Sequence, residues 1–313
     1  MSKRVIVITG PTATGKTALS VALAQRLGGE VVSADSMQIY RRMDIGTAKV
    51  SPEETRGVPH HMVNVAEPDE NFSVSRWVDM AAECCEDIFA RGKTPIIAGG
   101  TGLYIDSLLS GRDFAAAPDT DEALRLQLSR EYDAIGGEAF REKLREIDPL
   151  RAEKLHAADK KRLTRAMEVY LLTGETISAH DARTKALPPR YESLRFALTY
   201  DNRDTLYERI DRRVDIMVEA GLFEEVESLL HSGLSEGCTA MQAIGYKEPA
   251  AFFAGKCSRE EAIDKIKQES RRYAKRQLTW LRRDSGLHWI LRDGVPDAES
   301  HAEEVLRLWE AMG

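Results

Sequence analysis

The amino-acid sequence predicts an α/β protein with a parallel sheet at its core, a helical insertion and a helical C-terminal part. Strand-like and helical patterns alternate over residues 1 to about 110, which is typical of the βα units that build a parallel sheet. A glycine-rich turn separates the first strand pattern from the first helical one. From Asp119 to about Thr184 the chain shows consecutive amphipathic helical patterns and no strand pattern. This stretch predicts helices inserted into the sheet-forming chain.

The residue types in each segment predict the individual strands and helices. β-Branched and apolar runs predict strands, whereas apolar positions three and four residues apart predict helices. In chain order the predicted elements are a strand at Val5–Thr9, a helix at Thr17–Leu27, a strand within 30–36, a helix at Val74–Ala90, a strand within 94–104 and a strand at Leu194–Tyr200. We expect the last strand to rejoin the sheet and the chain from Arg203 to be mostly helical. The predicted domains are a core of residues 1–118 and 186–313 and an insertion of residues 119–185.

The turn after the first strand, GPTATGKT, contains the GxxxxGK[ST] pattern of a phosphate-binding loop. Its defining residues are Gly10, Gly15, Lys16 and Thr17. In such a loop, backbone N–H groups and a helix N-terminus face a phosphate, the lysine adds a full charge and the threonine hydroxyl can ligate Mg²⁺. The strand-loop-helix context is the one that the motif requires. The core is therefore predicted to be P-loop NTPase-like and to bind a polyphosphate.

The charge of the chain is distributed unevenly. The 313 residues are 42% hydrophobic and 30% charged, with a net charge of −7. No signal peptide or membrane span is recognisable, so we expect a cytoplasmic protein without membrane association. Residues 265–283 nevertheless carry eight positive charges and one negative, and residues 159–170 begin with a second basic cluster. Solvated helix faces and nucleic-acid binding are both possible interpretations of these clusters.

The cysteines and one histidine pair lack a clear metal-binding pattern. The four cysteines are Cys84, Cys85, Cys238 and Cys257. Their spacing fits neither a metal site nor a disulfide scaffold, so we expect buried free thiols. The adjacent His60 and His61 could be metal ligands, but without further ligands nearby a structural role is favoured.

Two further turns follow predicted strands, and ligands of parallel sheets bind at the carboxyl ends of the strands. Asp35 ends the second strand and could hold Mg²⁺ or act as a general base on a substrate above the loop. The carboxamide of Gln38 matches the hydrogen-bonding edge of adenine. The third turn is Gly99–Thr101, where an NTPase would place an acidic residue. This turn weakens a motor or switch interpretation, and it is either a plain tight turn or a surface for close backbone approach to a ligand.

A pair of arginines lies on one face of a predicted helix. Arg209 and Arg213 are four residues apart, so their guanidinium groups could grip a pyrophosphate together. A solvated face is the alternative. Ion pairing within the helix to Asp211 and Asp215 is a further competitor.

Eight stretches together resemble the tRNA dimethylallyltransferases, also called tRNA isopentenyltransferases. They are GPTATGKT, SADSMQIYRRMDIGTAK, VPHHM, IIAGGTGLY, DKKRLTRAMEVY, ERIDRRVDIMVEAGLFEEV, MQAIGYKE and AKRQLTWLRR, in family order from Gly10 to Arg283. A phosphate loop alone would be weak support, whereas this ordered set is specific. The zinc-binding C-terminal extension of some eukaryotic members is not found, which favours the bacterial type.

The resemblance implies transfer of a dimethylallyl group from dimethylallyl diphosphate to N6 of the adenosine immediately 3′ of the anticodon, in tRNAs that read codons beginning with U. The products would be N6-dimethylallyladenosine and diphosphate. Because a stacked adenine is out of reach, the enzyme would flip it out of the anticodon stem-loop. The implied cofactor is Mg²⁺, and we expect a monomer whose insertion contacts the tRNA.

The resemblance also implies roles for individual residues. Asp35 matches the general base, and Thr101 matches a hydroxyl near the reaction centre. Lys16 and Arg213 match the groups that stabilise the departing diphosphate, and Thr17 matches the metal-side hydroxyl. The implied diphosphate-binding residues are Gly10, Pro11, Thr12, Ala13, Thr14, Gly15, Lys16, Thr17 and Arg209. The implied tRNA-binding residues are Asp35, Ser36, Met37, Gln38, Asp159, Lys160, Lys161, Arg162, Leu163, Met241, Gln242, Lys275, Arg276, Gln277, Trp280 and Arg282.

Three other functions compete with this interpretation. A small-molecule phosphotransferase would use the same loop for ATP. A prenyltransferase acting on free AMP or ATP would need neither the insertion nor the basic C-terminal helix. An RNA-binding module without catalysis would leave the phosphate loop and Asp35 unexplained.

Overall fold

A parallel sheet of six strands forms the core of the first of two compact units. The computed structural model describes residues 3–111, 121–294 and 297–311. The strands are β1 (Arg4–Thr9), β2 (Glu30–Ser33), β3 (His60–His61), β4 (Pro95–Ala98), β5 (Glu192–Thr199) and β6 (His288–Leu291). Their order in the sheet is β3-β2-β4-β1-β5-β6, and every pair is parallel. The predicted parallel α/β core is confirmed, and β5 rejoins the sheet beside β1 as expected.

The helices of the first unit come before and after the inserted segment in the chain. They are α1 (Lys16–Leu27), α2 (Pro52–Thr55), α3 (Val74–Ala90) and α4 (Gly102–Leu109) before the insertion. The helices of the insertion are α5 (Glu122–Ile135), α6 (Gly137–Ile147), α7 (Pro149–Lys154), α8 (Lys160–Thr173) and α9 (Ile177–Lys185). After it come α10 (Arg203–Glu219), α11 (Leu222–His231), a short 3₁₀ turn (Ala240–Gln242), α12 (Lys247–Phe253), α13 (Arg259–Leu281) and α14 (Ala298–Ala311).

Both faces of the central strand β1 are buried, which explains its continuous apolar run. Ile6 and Ile8 are fully buried in a core cluster that includes Leu19 and Leu23 of α1 and Val305 of α14. Burying each such side chain stabilises the fold by roughly 1.5–3 kcal/mol. The helix that follows the phosphate loop is therefore fixed to the sheet along its length.

The second unit runs from Ser110 to Arg190 and contains α5 to α9. Its own core includes Leu128, Phe140 and Leu144, all of them buried. No strand occurs among residues 121–190, in agreement with the helical pattern of this stretch. The predicted first boundary of the insertion, at residues 118 and 119, lies outside the described residues.

Two strands at the edges of the sheet were missed by the sequence analysis. β3 has two residues, and β6 has a single buried position, Ile290, so neither carries a usable apolar pattern. In β3, His61 Nε2 lies 2.7 Å from Oε2 of the buried Glu30, which also accepts from Lys93 Nζ at 2.8 Å. Hydrogen bonds from Arg91 first, and from Lys93 and His61 after it, lower the pKa of Glu30 against the effect of burial.

His61 therefore belongs to the network around the buried Glu30, whereas His60 Nδ1 lies 2.9 Å from Val58 O. Over the described residues, no group of three His, Cys, Asp or Glu side chains is arranged to hold a metal ion. The four cysteines are free as predicted, but only Cys85 is buried and the other three are partly exposed. None of the helices in the described ranges is both long and apolar enough to cross a membrane.

Candidate active site

Three turns meet at one edge of the sheet because β2, β4 and β1 are neighbours. Gly99 N donates to Ile8 O at 3.1 Å, and Ala34 N donates to Ala98 O at 2.8 Å. These hydrogen bonds fix the start of each turn against the adjacent strand. The phosphate loop, the Asp35 turn and the Gly99–Thr101 turn therefore lie side by side, as the sequence predicts.

The phosphate loop is held in shape by its own side chains. Thr14 Oγ1 donates to Pro11 O at 2.9 Å. Lys16 Nζ donates to Gly10 O at 3.0 Å and to Pro11 O at 2.8 Å. Thr17, at the start of α1, is exposed. The lysine is thus folded over the loop, and the threonine hydroxyl lies at the helix N-terminus that such loops use for anions.

The site concentrates positive charge in a poorly solvated place. Burial lowers the pKa of Lys16 to about 7, the charge of Arg213 lowers it as well, and the carboxylate of Asp35 opposes both. Burial also lowers the pKa of Arg213, again opposed by Asp35. In the described part of the chain Arg213 has no ion-pair partner. Two cations near one carboxylate favour the binding of an anion.

Arg209, one helical turn before Arg213, is tied to the phosphate loop. Its Nε donates to Ala13 O at 3.4 Å, and its guanidinium lies 5.4 Å from the centre of the Tyr200 ring. Ala13 has a φ of 65°, an unfavourable value for a residue with a side chain. Such strain is characteristic of functional loops.

The acidic residues of α10 do not pair with these two arginines. Asp211 accepts from Arg271 Nη1 at 2.6 Å, and Asp215 lies 2.5 Å from Lys267 Nζ. Both partners belong to α13. The alternative of ion pairing within the helix is therefore wrong, because these carboxylates fasten α10 to α13 instead.

Asp35 lies in a turn that presents one carboxylate oxygen. Its Oδ1 accepts from Met37 N at 2.8 Å and from Gln38 N at 3.3 Å. Among the residues that the structure describes, Oδ2 accepts no hydrogen bond. The Asp35 charge also reaches Tyr273 on α13, whose pKa is raised to about 12 by burial and then by Asp35. Asp35 thus lies at the centre of the site with an available oxygen.

The hydroxyl of Thr101 joins two of the turns. Thr101 Oγ1 accepts from Ser36 N at 3.1 Å and lies 3.4 Å from Ser36 Oγ. Thr101 N donates to Ala34 O at 3.1 Å. A plain tight turn would not need this hydroxyl, whereas here it holds the Asp35 turn in place.

The carboxamide of Gln38 is used inside the protein. Its Nε2 donates to Thr47 O at 3.3 Å and Ala48 O at 3.2 Å, and its Oε1 accepts from Ser33 Oγ at 3.3 Å. Both ends of the amide therefore have partners. The predicted contact of this group with adenine has no support in the structure, because the group anchors the neighbouring loop.

The basic cluster on α13 divides into two halves. Lys265 and Arg272 pair with Glu269, at 3.5 and 2.6 Å, and the two cations that pair with α10 also belong to this half. The exposed cations of the second half are Lys275, Arg276, Arg282 and Arg283. They form no ion pair within the described ranges. Ion pairs thus account for the cations of the first half, whereas the cations of the second half are available to bind a polyanion.

The basic cluster of the second unit has fewer unpaired cations than its sequence suggests. Lys160 Nζ pairs with Asp133 at 2.7 Å, and Arg162 pairs with Asp159 at 2.7 Å. Leu163 is fully buried, so the predicted contact of its side chain with tRNA has no support. Lys161 is exposed and is not ion-paired to any described residue.

The MQAIGYKE stretch stabilises a neighbouring loop rather than forming an exposed binding surface. Met241 is fully buried, so its side chain offers nothing to tRNA, whereas Gln242 is exposed. Tyr246 donates its hydroxyl to Glu225 Oε1 at 2.6 Å. The same carboxylate accepts the backbone N–H groups of residues 44, 45 and 46 at 2.8–3.2 Å. Glu225 therefore fixes the loop that holds the Gln38 amide, a role that the sequence analysis missed.

Comparison with known proteins identifies the family. The IPP transferase family model matches residues 38–284, and the isopentenyl transferase model matches residues 3–64. The tRNA dimethylallyltransferase of Geobacillus kaustophilus is 47% identical over 308 residues, which are 98% of this chain and 96% of that protein. The protein of the same description from Acetivibrio thermocellus is 46% identical over 291 residues, 92% of each chain. The chain belongs to the tRNA dimethylallyltransferase family.

Solved structures agree with this membership. A tRNA isopentenylpyrophosphate transferase from Bacillus halodurans is 41% identical, with a TM-score of 0.73 over 99% of this chain and 96% of that one. A eukaryotic dimethylallyltransferase, described as acting on tRNA, is 30% identical, with a TM-score of 0.83 over 97% of this chain and 78% of that one. The predicted family, fold class and enzyme class are confirmed.

Proposed function

We propose that this member of the family transfers a dimethylallyl group from dimethylallyl diphosphate to N6 of an adenosine in tRNA and releases diphosphate. The observation that carries the proposal is the grouping of Lys16, Arg213 and Asp35 beside a phosphate loop. The cations suit a leaving group that gains negative charge, and the carboxylate suits an amine that must lose a proton.

The phosphate loop and its cations would hold the diphosphate. As its bond to the allylic carbon breaks, negative charge grows on the leaving group, and loop N–H groups, Lys16 and Arg213 stabilise it. Arg209, already bound to the loop backbone, would add a second guanidinium. The exposed hydroxyl of Thr17 suits Mg²⁺, which proteins often hold through a few ligands and the substrate's phosphates. Bound there, Mg²⁺ would offset part of the diphosphate charge.

Asp35 would accept the proton of the adenine amine. This nitrogen is a poor nucleophile because its lone pair is delocalised into the ring, and it loses a proton as the new C–N bond forms. Asp35 Oδ2 is available for that proton, since the two turn hydrogen bonds use Oδ1. We therefore favour the general-base role over a role as the metal ligand.

The acceptor would be the adenosine immediately 3′ of the anticodon in tRNAs that read codons beginning with U. The free cations at the C-terminal end of α13 and Lys161 on α8 would bind phosphates of the anticodon stem-loop. The insertion would contact the same stem-loop, and the target base would be flipped out to reach Asp35. Cytoplasmic location and the monomeric state stay predictions.

One assay tests this proposal against its rivals. Labelled dimethylallyl diphosphate is supplied with an anticodon stem-loop, free AMP or free ATP, and label in each acceptor is measured. We expect label in the stem-loop alone. Labelled AMP or ATP would indicate a prenyltransferase for free nucleotides. Phosphorylation with ATP, without prenyl transfer, would contradict the proposal.

A variant pair tests the general base within the same assay. Asp35→Asn keeps the size of the side chain but cannot accept a full proton, so transfer should be lost while tRNA binding is retained. Asp69→Asn, an exposed acid outside the site, is the matched control and should be fully active. Unchanged turnover of Asp35→Asn would refute the role of Asp35.

A further inference from the structure

Gln277 of α13 joins two turns that arise from different strands. Its Oε1 accepts the backbone N–H of Thr12 in the phosphate loop at 3.2 Å. Its Nε2 donates to Gly100 O at 3.0 Å. The side chain is 8% exposed. One buried amide, with both ends occupied, thus connects the proposed diphosphate side of the site to the turn that holds the Asp35 loop.

The partner turn is shaped to receive this amide. A Cβ atom on Gly100 would lie 2.2 Å from Gln277 Nε2 and 3.5 Å from its Cδ. Any side chain at that position would push the amide away from the turn. The glycine at position 100 therefore leaves room for the Gln277 amide, and it also permits any close approach of a ligand to this turn.

Neighbouring residues on α13 extend the connection. The side chains of Thr101 and Gln277 lie close enough to Tyr273, one turn before Gln277, to lower its pKa against the effect of burial. Trp280, one turn after it, donates from Nε1 to Asp106 Oδ2 of α4 at 2.9 Å. Gln277 thus fixes α13 to the reaction-centre turns, and Trp280 fixes the same helix to α4. Lys275 and Arg276, between them in the sequence, are exposed cations.

We propose that Gln277 is a positioning residue, which holds the phosphate loop and the Gly99–Thr101 turn at the separation that prenyl transfer requires. This inference rests on the proposed function and changes the role of Gln277 from a tRNA contact to a connector. Because the same helix carries the free cations, tRNA bound to α13 is linked through Gln277 to the alignment of diphosphate and base. Since the Thr12 N–H is donated to Gln277, we expect the other N–H groups of the loop to bind the diphosphate.

The test replaces the amide while keeping its volume. Gln277→Met retains the length of the side chain but cannot bridge Thr12 N and Gly100 O. Gln268→Met is the matched control, because Gln268 is an exposed glutamine on the same helix. The kcat, the KM for each substrate, the tRNA Kd and the melting temperature are measured for both variants and the unchanged chain.

We expect Gln277→Met to lower kcat by about 10- to 100-fold and to raise the KM for dimethylallyl diphosphate, since small misplacements of reacting groups have effects of this size. The tRNA Kd should stay within about twofold of the unchanged chain, as one amide facing inward makes no tRNA contact. A kcat within twofold of the control would overturn the inference. Loss of tRNA binding or of folding would do so as well, because it would assign Gln277 to tRNA contact or to general stability. If the unchanged chain transfers no prenyl group to the stem-loop, the proposed function itself fails.

A double-mutant cycle provides the second measurement. Gly100→Ala alone should lower kcat, because the new methyl group displaces the Gln277 amide. In the Gln277→Ala background the same change should have a much smaller effect, since the clash is gone. Additive effects of the two changes would overturn the inference.

Discussion

Arg213 provides the sharpest test of the proposed binding and stabilisation of diphosphate by this site. Arg213→Ala removes a cation that has no ion-pair partner in the described structure and that lies near both Lys16 and Asp35. Removing one preorganised donor from a site of developing charge typically lowers kcat by about 100- to 1000-fold, or roughly 2.7–4 kcal/mol. Arg212→Ala is the control, because Arg212 is exposed on the same helix. It should change kcat by less than about threefold.

The pH profile gives the same test a second, independent readout. The profile of kcat/KM for dimethylallyl diphosphate reports the enzyme before this substrate binds, and in the structure the pKa of Lys16 is about 7. Only the protonated amine attracts diphosphate, so kcat/KM for dimethylallyl diphosphate should fall as pH rises through about 7. Since the charge of Arg213 helps to lower this pKa, Arg213→Ala should move the fall to higher pH, whereas Arg212→Ala should not.

Steady-state assays with labelled dimethylallyl diphosphate and saturating stem-loop, between about pH 5.5 and 9.5, measure both effects. The ionisation of the substrate is common to all variants and therefore cancels in the comparison. A kcat for Arg213→Ala close to that of Arg212→Ala would refute the leaving-group role. An unmoved alkaline limb would refute the electrostatic contact between Arg213 and Lys16.

Three further predictions follow from the same contacts. Lys16→Met should abolish transfer but raise the melting temperature at pH 7 by a few degrees. In the folded state the pKa of Lys16 is about 7, below its ordinary value of 10.5, so the folded state disfavours the buried ammonium at pH values below 10.5. This gain should shrink as pH rises from 7 towards 10.5. Lys256→Met, which changes an exposed lysine outside the site, should show neither effect. Glu225→Ala should destabilise the protein by about 2–4 kcal/mol in a denaturant titration, because it leaves several donors around residues 44–46 without an acceptor. Arg276→Ala should reduce the slope of log Kd for tRNA against log salt concentration by about 1. Lys265→Ala, which removes a paired cation, should leave that slope unchanged.

Local sequence patterns were sufficient to predict the core and the turns at its edge. The glycine and lysine spacing of the phosphate loop predicts its shape because backbone geometry and the helix N-terminus determine it within eight residues. The apolar run of β1 and the position of Asp35 after β2 can likewise be predicted from short sequence segments. Since parallel strands end at one edge, these local features also predict that the turns converge.

The connections between distant segments could not be predicted in this way. Thr12 and Gln277 are 265 residues apart, and Asp44 and Glu225 are 181 residues apart. No periodicity or motif indicates which buried polar group meets which backbone amide across such separations. For the same reason, Gln38 and Gln277 were assigned to tRNA from their residue type and position, whereas the fold uses both amides internally.

The end of β4 explains why a phosphate loop in this fold is suited to group transfer rather than to NTP hydrolysis. In P-loop NTPases, acidic and amide side chains near the phosphates hold the metal and orient the attacking water. Here Gly99 packs against β2 so closely that a Cβ atom would lie 2.2 Å from Ala34 O, so no acidic side chain fits at this position. The nearby carboxylate comes instead from Asp35, beyond the end of β2, where Thr101 fixes its turn. In its proposed role as the base, Asp35 would act on an amine brought by the acceptor, an arrangement that suits attack on the allylic carbon rather than attack of bound water on phosphorus.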